Sequence, residues 1–217
     1  MQTFGHDLGL TARSVSTVEV GGVVARRSLL TRTLATDPDD LWDALTSPER
    51  IPRWFLPVSG DLRVGGRYQL EGNAGGEIEA CEPPRLLRVT WVMGDSTTWL
   101  TVTLRPSGAV PEETTLEMEH VGPVPDEMWT RFGPSATGIG WDMTLSGLAR
   151  HLRTGEDNDP TEFTAWSTSA GGTGFVQVSG EHWRAADLEA GTAPAEAAAR
   201  VRRAVAFYTG QPDPPQA

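Results

Sequence analysis

His120 is the first residue in this chain whose type and position could do chemistry. It ends the run Thr114–His120. Alternation there puts Leu116, Met118 and His120 on one face, and Thr115, Glu117 and Glu119 on the other. An imidazole at the end of an inward-facing row can anchor a polar group or exchange a proton at a cavity mouth. An acid–base histidine wants an orienting carboxylate, and Glu119 points to the opposite face. The plainer reading is a core-edge histidine bonded to a backbone group. Glu71, Glu77 and Glu79 recur around one hairpin, where a carboxylate pair could do acid/base work or hold a hard cation. In a chain of net charge −11 they read more simply as solvated carboxylates. His151 and His182 have no partner at metal-ligand spacing, and no HExxH occurs. Cys81, the single cysteine, has no basic neighbour in sequence to make it a nucleophile. Gly171-Gly172-Thr173-Gly174 lacks the third glycine of a dinucleotide loop, no P-loop is possible without Lys, and no GxSxG appears. The sequence therefore assigns no catalytic residue, no metal ligand and no cofactor.

A second group could bind rather than react. Trp54, Phe55, Tyr68, Trp91 and Trp141, with Met118, could line an aromatic cavity with His120 at its mouth; the alternative is a filled core. A cavity of several hundred Å3 reaching solvent would favour a ligand site. Tight interlocking of Trp91, Met118 and Trp141 would exclude one. Trp99 falls on the outward face, and a cover from the C-terminal helices or a second subunit is expected for it.

These residues need elements to position them. Residues 1–20 read as a polar arm, with Val15, Val18 and Val20 hinting at extension. Val23–Leu34 reads as a strand. Asp37-Pro38-Asp39-Asp40 starts a helix, Ser47-Pro48-Glu49 starts a second short one, and Pro52 ends it before Arg53-Trp54-Phe55. Between Gly60 and His120, strands at Arg67–Glu71, Glu77–Cys81, Leu86–Met93, Thr98–Arg105 and Thr114–His120 are separated at hairpin spacing, which predicts an antiparallel sheet. Leu87, Val89, Trp91 and Met93 share a face, as do Leu100, Val102 and Leu104. Pairing Trp91 with Leu100 buries both rows and leaves Gly94–Thr97 as the loop.

Asp126–Phe132 can open a helix, and Ser135–Leu152 is helical, with Trp141, Leu145, Leu148 and Leu152 as one stripe. Gly138, Gly140 and Gly147 suggest close approach to the sheet or empty volume above it. Residues 153–162 read as an acidic linker. Residues 163–210 read as two helices, with stripes Val176, Ser179, Trp183, Ala186, Ala190 and Ala198, Val201, Val205, Tyr208. Residues 211–217 read as a disordered tail.

The 217 residues suffice for one domain plus an extension. All 18 basic residues are Arg against 29 acidic ones. An acidic chain with no basic run is a poor partner for nucleic acid or an anionic membrane. One cysteine excludes an internal disulfide, and no signal-like or membrane-length apolar run occurs, so a cytoplasmic protein is expected.

The order of elements is similar to the helix-grip fold of the START/Bet v 1-like (SRPBCC) superfamily. Within it, residues 20–152 resemble the activator of Hsp90 ATPase homologue 1-like family. The resemblance rests on Thr31-Arg32-Thr33-Leu34, Trp42-Asp43-Ala44-Leu45-Thr46-Ser47-Pro48-Glu49-Arg50, Arg53-Trp54-Phe55, Gly65-Gly66-Arg67-Tyr68, Gly75-Gly76-Glu77-Ile78, Glu82-Pro83-Pro84-Arg85, Thr90-Trp91 and Thr115-Leu116-Glu117-Met118-Glu119-His120. It implies an α+β fold in which a curved antiparallel sheet wraps the Ser135–Leu152 helix, with a ligand cavity often between them. Residues 21–152 would form that domain. An Hsp90 partner is not expected, since the activator carries a second domain not seen here. Three functional readings follow. The first is a non-enzymatic binder of a small apolar or amphipathic molecule. The second is an enzyme resembling the superfamily's polyketide aromatase/cyclases, with His120 or Arg67 polarising a carbonyl. The third is a ligand-free interaction module that forms a homodimer through its C-terminal helices.

Overall fold

The computed structural model describes residues 8–108, 110, 112–123 and 127–214. Eight strands form one curved antiparallel sheet: β1 (Thr11–Val20), β2 (Val23–Leu34), β3 (Val58–Gly60), β4 (Arg67–Leu70), β5 (Gly75–Glu82), β6 (Leu86–Met93), β7 (Ser96–Pro106) and β8 (Thr114–Pro123). Their order is β1-β2-β8-β7-β6-β5-β4-β3. The long connection from β2 contains α1 (Pro38–Thr46) and α2 (Ile51–Trp54), and α3 (Glu127–Phe132) and α4 (Ser135–Thr154) follow β8. Leu30, Leu100, Val102, Leu104, Leu116 and Met118 face α4's Trp141, Leu145 and Leu148 in one buried cluster. This is the α+β helix-grip architecture.

Local chemistry sets the helix starts. The Asp37 carboxylate accepts from the amides of Asp39 and Asp40 at 3.0 and 2.9 Å, with Pro38 in the first turn. Pro52 lies in the first turn of α2, so it opens that helix rather than ending it. The residues 47–50 before it form a turn. The Gly171–Gly174 run falls in the first turns of α6 (Ala170–Glu189), capped by the Ser169 hydroxyl.

Three further expectations need correction. The segment expected as an arm is, over Thr11–Val20, a full strand paired with β2 from Thr11↔Arg32 to Val20↔Val23; residues 1–7 lie outside the described residues. The β6–β7 hairpin is two residues tighter than expected, with Trp91 opposite Thr98 and Val89 opposite Leu100. A two-residue Gly94-Asp95 turn sets this register, and Gly94 supplies the positive φ of +56° that such turns require. A shift of two keeps every side chain on its face. The acidic linker is tied down. Asp157 pairs with Arg53 at 2.6 Å and Glu156 with Arg150 at 3.0 Å. The Asn158 amide donates to the carbonyls of Trp54 and Gly147. From Pro160 the chain is already helical as α5 (Pro160–Ser167).

The C-terminal helices α6 and α7 (Pro194–Tyr208) pack on α3, α4 and β1. Trp99 is half-buried on the outer face between Thr90 and the buried Val121. In the tail, Asp213 pairs with Arg131 at 2.7 Å, and residues 215–217 lie outside the described residues. Gly138 and Gly140 admit these helices, not the sheet. The Trp183 ring lies against Gly138 and the Tyr208 hydroxyl against Gly140, while Gly147 admits the Trp54 carbonyl.

A Cβ on Gly138 would stand 2.2 Å from Trp183 Cε2. Gly138→Ala is therefore expected to cost roughly 1–3 kcal/mol through overpacking. Gly174→Ala meets open space inside α6 and is expected to gain up to ~1 kcal/mol from helix propensity. Urea unfolding of the two variants side by side checks both signs.

No helix among the described residues is long and apolar enough to cross a membrane.

Candidate functional site

The sheet and α4 do not interdigitate completely. Between them lies a cavity of about 160 Å3, lined only by residues between Leu45 and Leu148. The floor is the concave sheet, with Tyr68, Val89, Trp91, Leu100, Val102 and Met118. One wall is α4, through Trp141, Thr144, Leu145 and Leu148. The other is the α1–α2 elbow with Trp54 and Phe55. Leu62, 37% exposed, is also a lining residue and marks the mouth beside that elbow. α6 and α7 contribute nothing to the lining.

The volume is below the roughly 300–1,000 Å3 of pockets for drug-sized ligands. It is close to the ~150 Å3 apolar cavity known to take a benzene. Trp91 and Trp141 do touch, edge to face, with centroids 4.9 Å apart at 63°. Both still line the void together with Met118, so contact between them does not close it.

The structure brings six of the seven sequence-predicted residues to this wall: Trp54, Phe55, Tyr68, Trp91, Met118 and Trp141. His120 is the exception. It is on the inner face as expected, 8% exposed, but the Trp141 ring stands beside it and it does not line the cavity. Its Nδ1 accepts the Trp141 indole N–H at 3.3 Å. That acceptor role places the ring proton on Nε2, which donates to Thr98 Oγ1 at 2.8 Å. The Thr98 hydroxyl donates in turn to the Trp91 carbonyl at 3.1 Å. The histidine is thus a neutral bracket joining the two tryptophans, and its partners are side chains, not the expected backbone group. Burial pushes its pKa down to about 4.

Four of the wall's other polar side chains bond within the protein. The Tyr68 hydroxyl donates to the Thr90 carbonyl at 2.8 Å, and burial raises its pKa. Trp54 Nε1 donates to the Ala44 carbonyl at 2.8 Å. The hydroxyls of Thr46 and Thr144 donate to the carbonyls of Trp42 and Gly140. No Asp, Glu, Arg or His lines the cavity among the described residues. Cys81 does line it, a placement that strand alternation alone does not give.

The remaining candidates lie apart. Glu79 pairs with Arg88 at 2.8 Å, while Glu71 and Glu77 are exposed. His151 is buried and donates from Nδ1 to the Glu156 carbonyl at 2.9 Å. Arg67 is exposed and outside the cavity. No group of three metal-type ligands occurs among the described residues.

Comparison with known proteins adds the family. The solution structure of CalU16 from Micromonospora echinospora is 30% identical, covering 88% of this chain and 100% of that one at a TM-score of 0.70. Its crystal structure covers 81% and 97%, with a TM-score of 0.63. That span reaches well beyond the segment matched by the family model, into the flanking elements. MLL2253 from Mesorhizobium loti is 29% identical over 59% of this chain and 98% of that one, with a TM-score of 0.52. DynU16, a protein in the dynemicin biosynthetic locus, is 23% identical over 59% of this chain and 48% of that one, with a TM-score of 0.51, and shows the fold alone. No curated protein sequence matches the chain. Residues 35–153, just over half of the chain, match the model described as activator of Hsp90 ATPase homolog 1-like protein. With the helix-grip fold and the 30% identity to CalU16, the chain belongs to the activator of Hsp90 ATPase homologue 1-like family.

Proposed function

We propose that this chain is a binding protein for a small apolar or amphipathic molecule and does no chemistry on it. The observation that supports the reading is the wall itself, an apolar void in which no ionisable carboxylate, guanidinium or imidazole faces the space among the described residues. Buried apolar surface near an opening is a default small-molecule site. The cyclase-like alternative asks for a group that polarises a carbonyl. His120 is spent between Trp141 and Thr98, and Arg67 stands outside. The interaction-module alternative asks for free apolar stripes on the C-terminal helices. Val176, Trp183, Ala186 and Val201 are instead buried within this chain, which leaves Val178 on α6 and Phe207 on α7 as the large exposed apolar side chains there.

Native mass spectrometry of protein purified from its own host tests the reading. A retained mass that leaves on denaturation is expected. Val102→Phe projects extra carbons from β7 into the void. In a filled core such a change costs about 1–3 kcal/mol. Here the unfolding free energy should stay within about 1 kcal/mol of wild type, and the retained mass should vanish. A purified mass that always equals the sequence mass would remove the proposal.

A further inference from the structure

The cavity's chemistry restricts its occupant more narrowly than "small and apolar". Among the N–H and O–H side-chain donors of the lining residues, those of Thr46, Trp54, Tyr68, Trp141 and Thr144 all have acceptors within the protein. The Trp91 indole N–H has none among the described residues and stays accessible rather than sealed inside the protein. Trp91 is half-buried, and its backbone carbonyl is held by Thr98, so the strand fixes where the ring stands. Its edge-to-face contact with Trp141 leaves aromatic surface on the void, and the Met118 thioether adds a polarizable contact. A third ring completes such a cluster by stacking or edge contact. An ionised group would be buried there without a partner, which is strongly unfavourable. A volume of about 160 Å3 suits one or two fused rings and is too small for a larger polycycle.

We infer that the cavity takes a neutral aromatic molecule of one or two fused rings bearing one hydrogen-bond acceptor, and that the Trp91 indole N–H is the donor that selects it. The inference rests on the reading of the cavity as a ligand site, and the probes below separate the two.

Isothermal titration calorimetry at pH 7.5 would use four probes. Quinoline and naphthalene have the same shape, and only quinoline offers an acceptor. 2-Naphthoate adds a charge, and decan-1-ol replaces the rings by a chain. Quinoline is expected to bind about fivefold tighter than naphthalene, the usual worth of one hydrogen bond. 2-Naphthoate and decan-1-ol should bind at least about tenfold more weakly than quinoline, the one for its unpaired charge and the other for its lack of rings. Trp91→Phe should bring quinoline down to the naphthalene level, and Val102→Phe should abolish both. Equal affinity for quinoline and naphthalene in the wild-type protein removes Trp91 as the selecting donor, whether or not the variant folds. Binding of 2-naphthoate as tight as quinoline overturns the neutral class. Binding of decan-1-ol that Val102→Phe abolishes, with no binding of quinoline, overturns the aromatic class while leaving a ligand site. No binding by any probe removes both.

Discussion

Asp142→Ala is expected to lower the unfolding free energy by about 3–5 kcal/mol, the usual cost of breaking a buried ion pair from one side. Asp142 is 2% exposed on α4 and faces away from the cavity. Its carboxylate accepts from Arg13 Nη2 at 2.8 Å and Nε at 3.1 Å, from the Ser179 hydroxyl at 2.5 Å and from the Trp183 indole at 3.0 Å. One side chain thereby joins β1, α4 and α6. Its removal leaves the Arg13 guanidinium buried with two backbone carbonyls, those of Leu8 and Thr11, as acceptors. Ser179 and Trp183, both fully buried, lose their acceptor as well. Replacing both charged partners by apolar residues, as in R13M/D142L, should recover part of the loss, because no uncompensated charge then remains. Ser179 and Trp183 would still lack an acceptor, so recovery should be incomplete. At roughly 2–4 °C per kcal/mol, the single variant should melt about 10 °C lower. An Asp142→Ala protein within 1 kcal/mol of wild type in urea would show that this carboxylate does not hold the helices on the sheet. Trp141 immediately precedes Asp142 on α4. A loosened Asp142 bracket should therefore also move the cavity wall, visible as a shift in tryptophan emission.

The same bracket explains where sequence reading stopped. Strands with one apolar face, such as Leu100, Val102 and Leu104, announce themselves by period two, and α1 by its Asp-Pro start. β1 does not, because its inner face carries Arg13, whose burial depends on Asp142 far along the chain. α5 repeats the Asp-Pro signal at Asp159-Pro160 but buries no residue, so it has no apolar stripe to read. The hairpin faces were legible because alternation decides them. The register was not, because a two-residue Gly-Asp turn competes with longer loops that preserve the same faces.

At the site, alternation on the strands and the i, i+4, i+7 stripe of α4 were enough to collect six wall residues. His120 was misplaced, since its ring packs edge to face against Trp141 and does not reach the void. Cys81 was missed as a wall residue for a different reason. Ile78 and Cys81 both line the cavity although their parity differs. The irregularity in β5 between Ile78 and Ala80 changes the phase of the strand. No local pattern in Glu77-Ile78-Glu79-Ala80-Cys81 announces that break.

The histidine bracket carries the second large prediction. In an unfolded chain an imidazole titrates near 6.5, whereas desolvation holds His120 down at about 4 in the folded protein. Between those values the unfolded state binds more protons, so acid favours unfolding. The stability is fully present above pH 6.5, falls as pH drops toward 4, and this group adds no further slope below. The whole change is on the order of 3 kcal/mol, and roughly 2–3 kcal/mol of it should appear by pH 4.5. Protonating Nδ1 also sets two donors against each other at the Trp141 indole, which breaks the link between the cavity's two tryptophans. Urea unfolding of wild type and His120→Asn at pH 7.5 and 4.5 isolates the effect, because the carboxylates common to both proteins cancel. Asparagine can still accept from the indole, yet it does not titrate. The wild-type protein should lose roughly 2–3 kcal/mol more than the variant over that interval, and the His120 ring resonances should titrate near 4. Parallel losses in the two proteins, or a ring that titrates near 6.5, would show that this imidazole is wet and that Trp141 is not held by it.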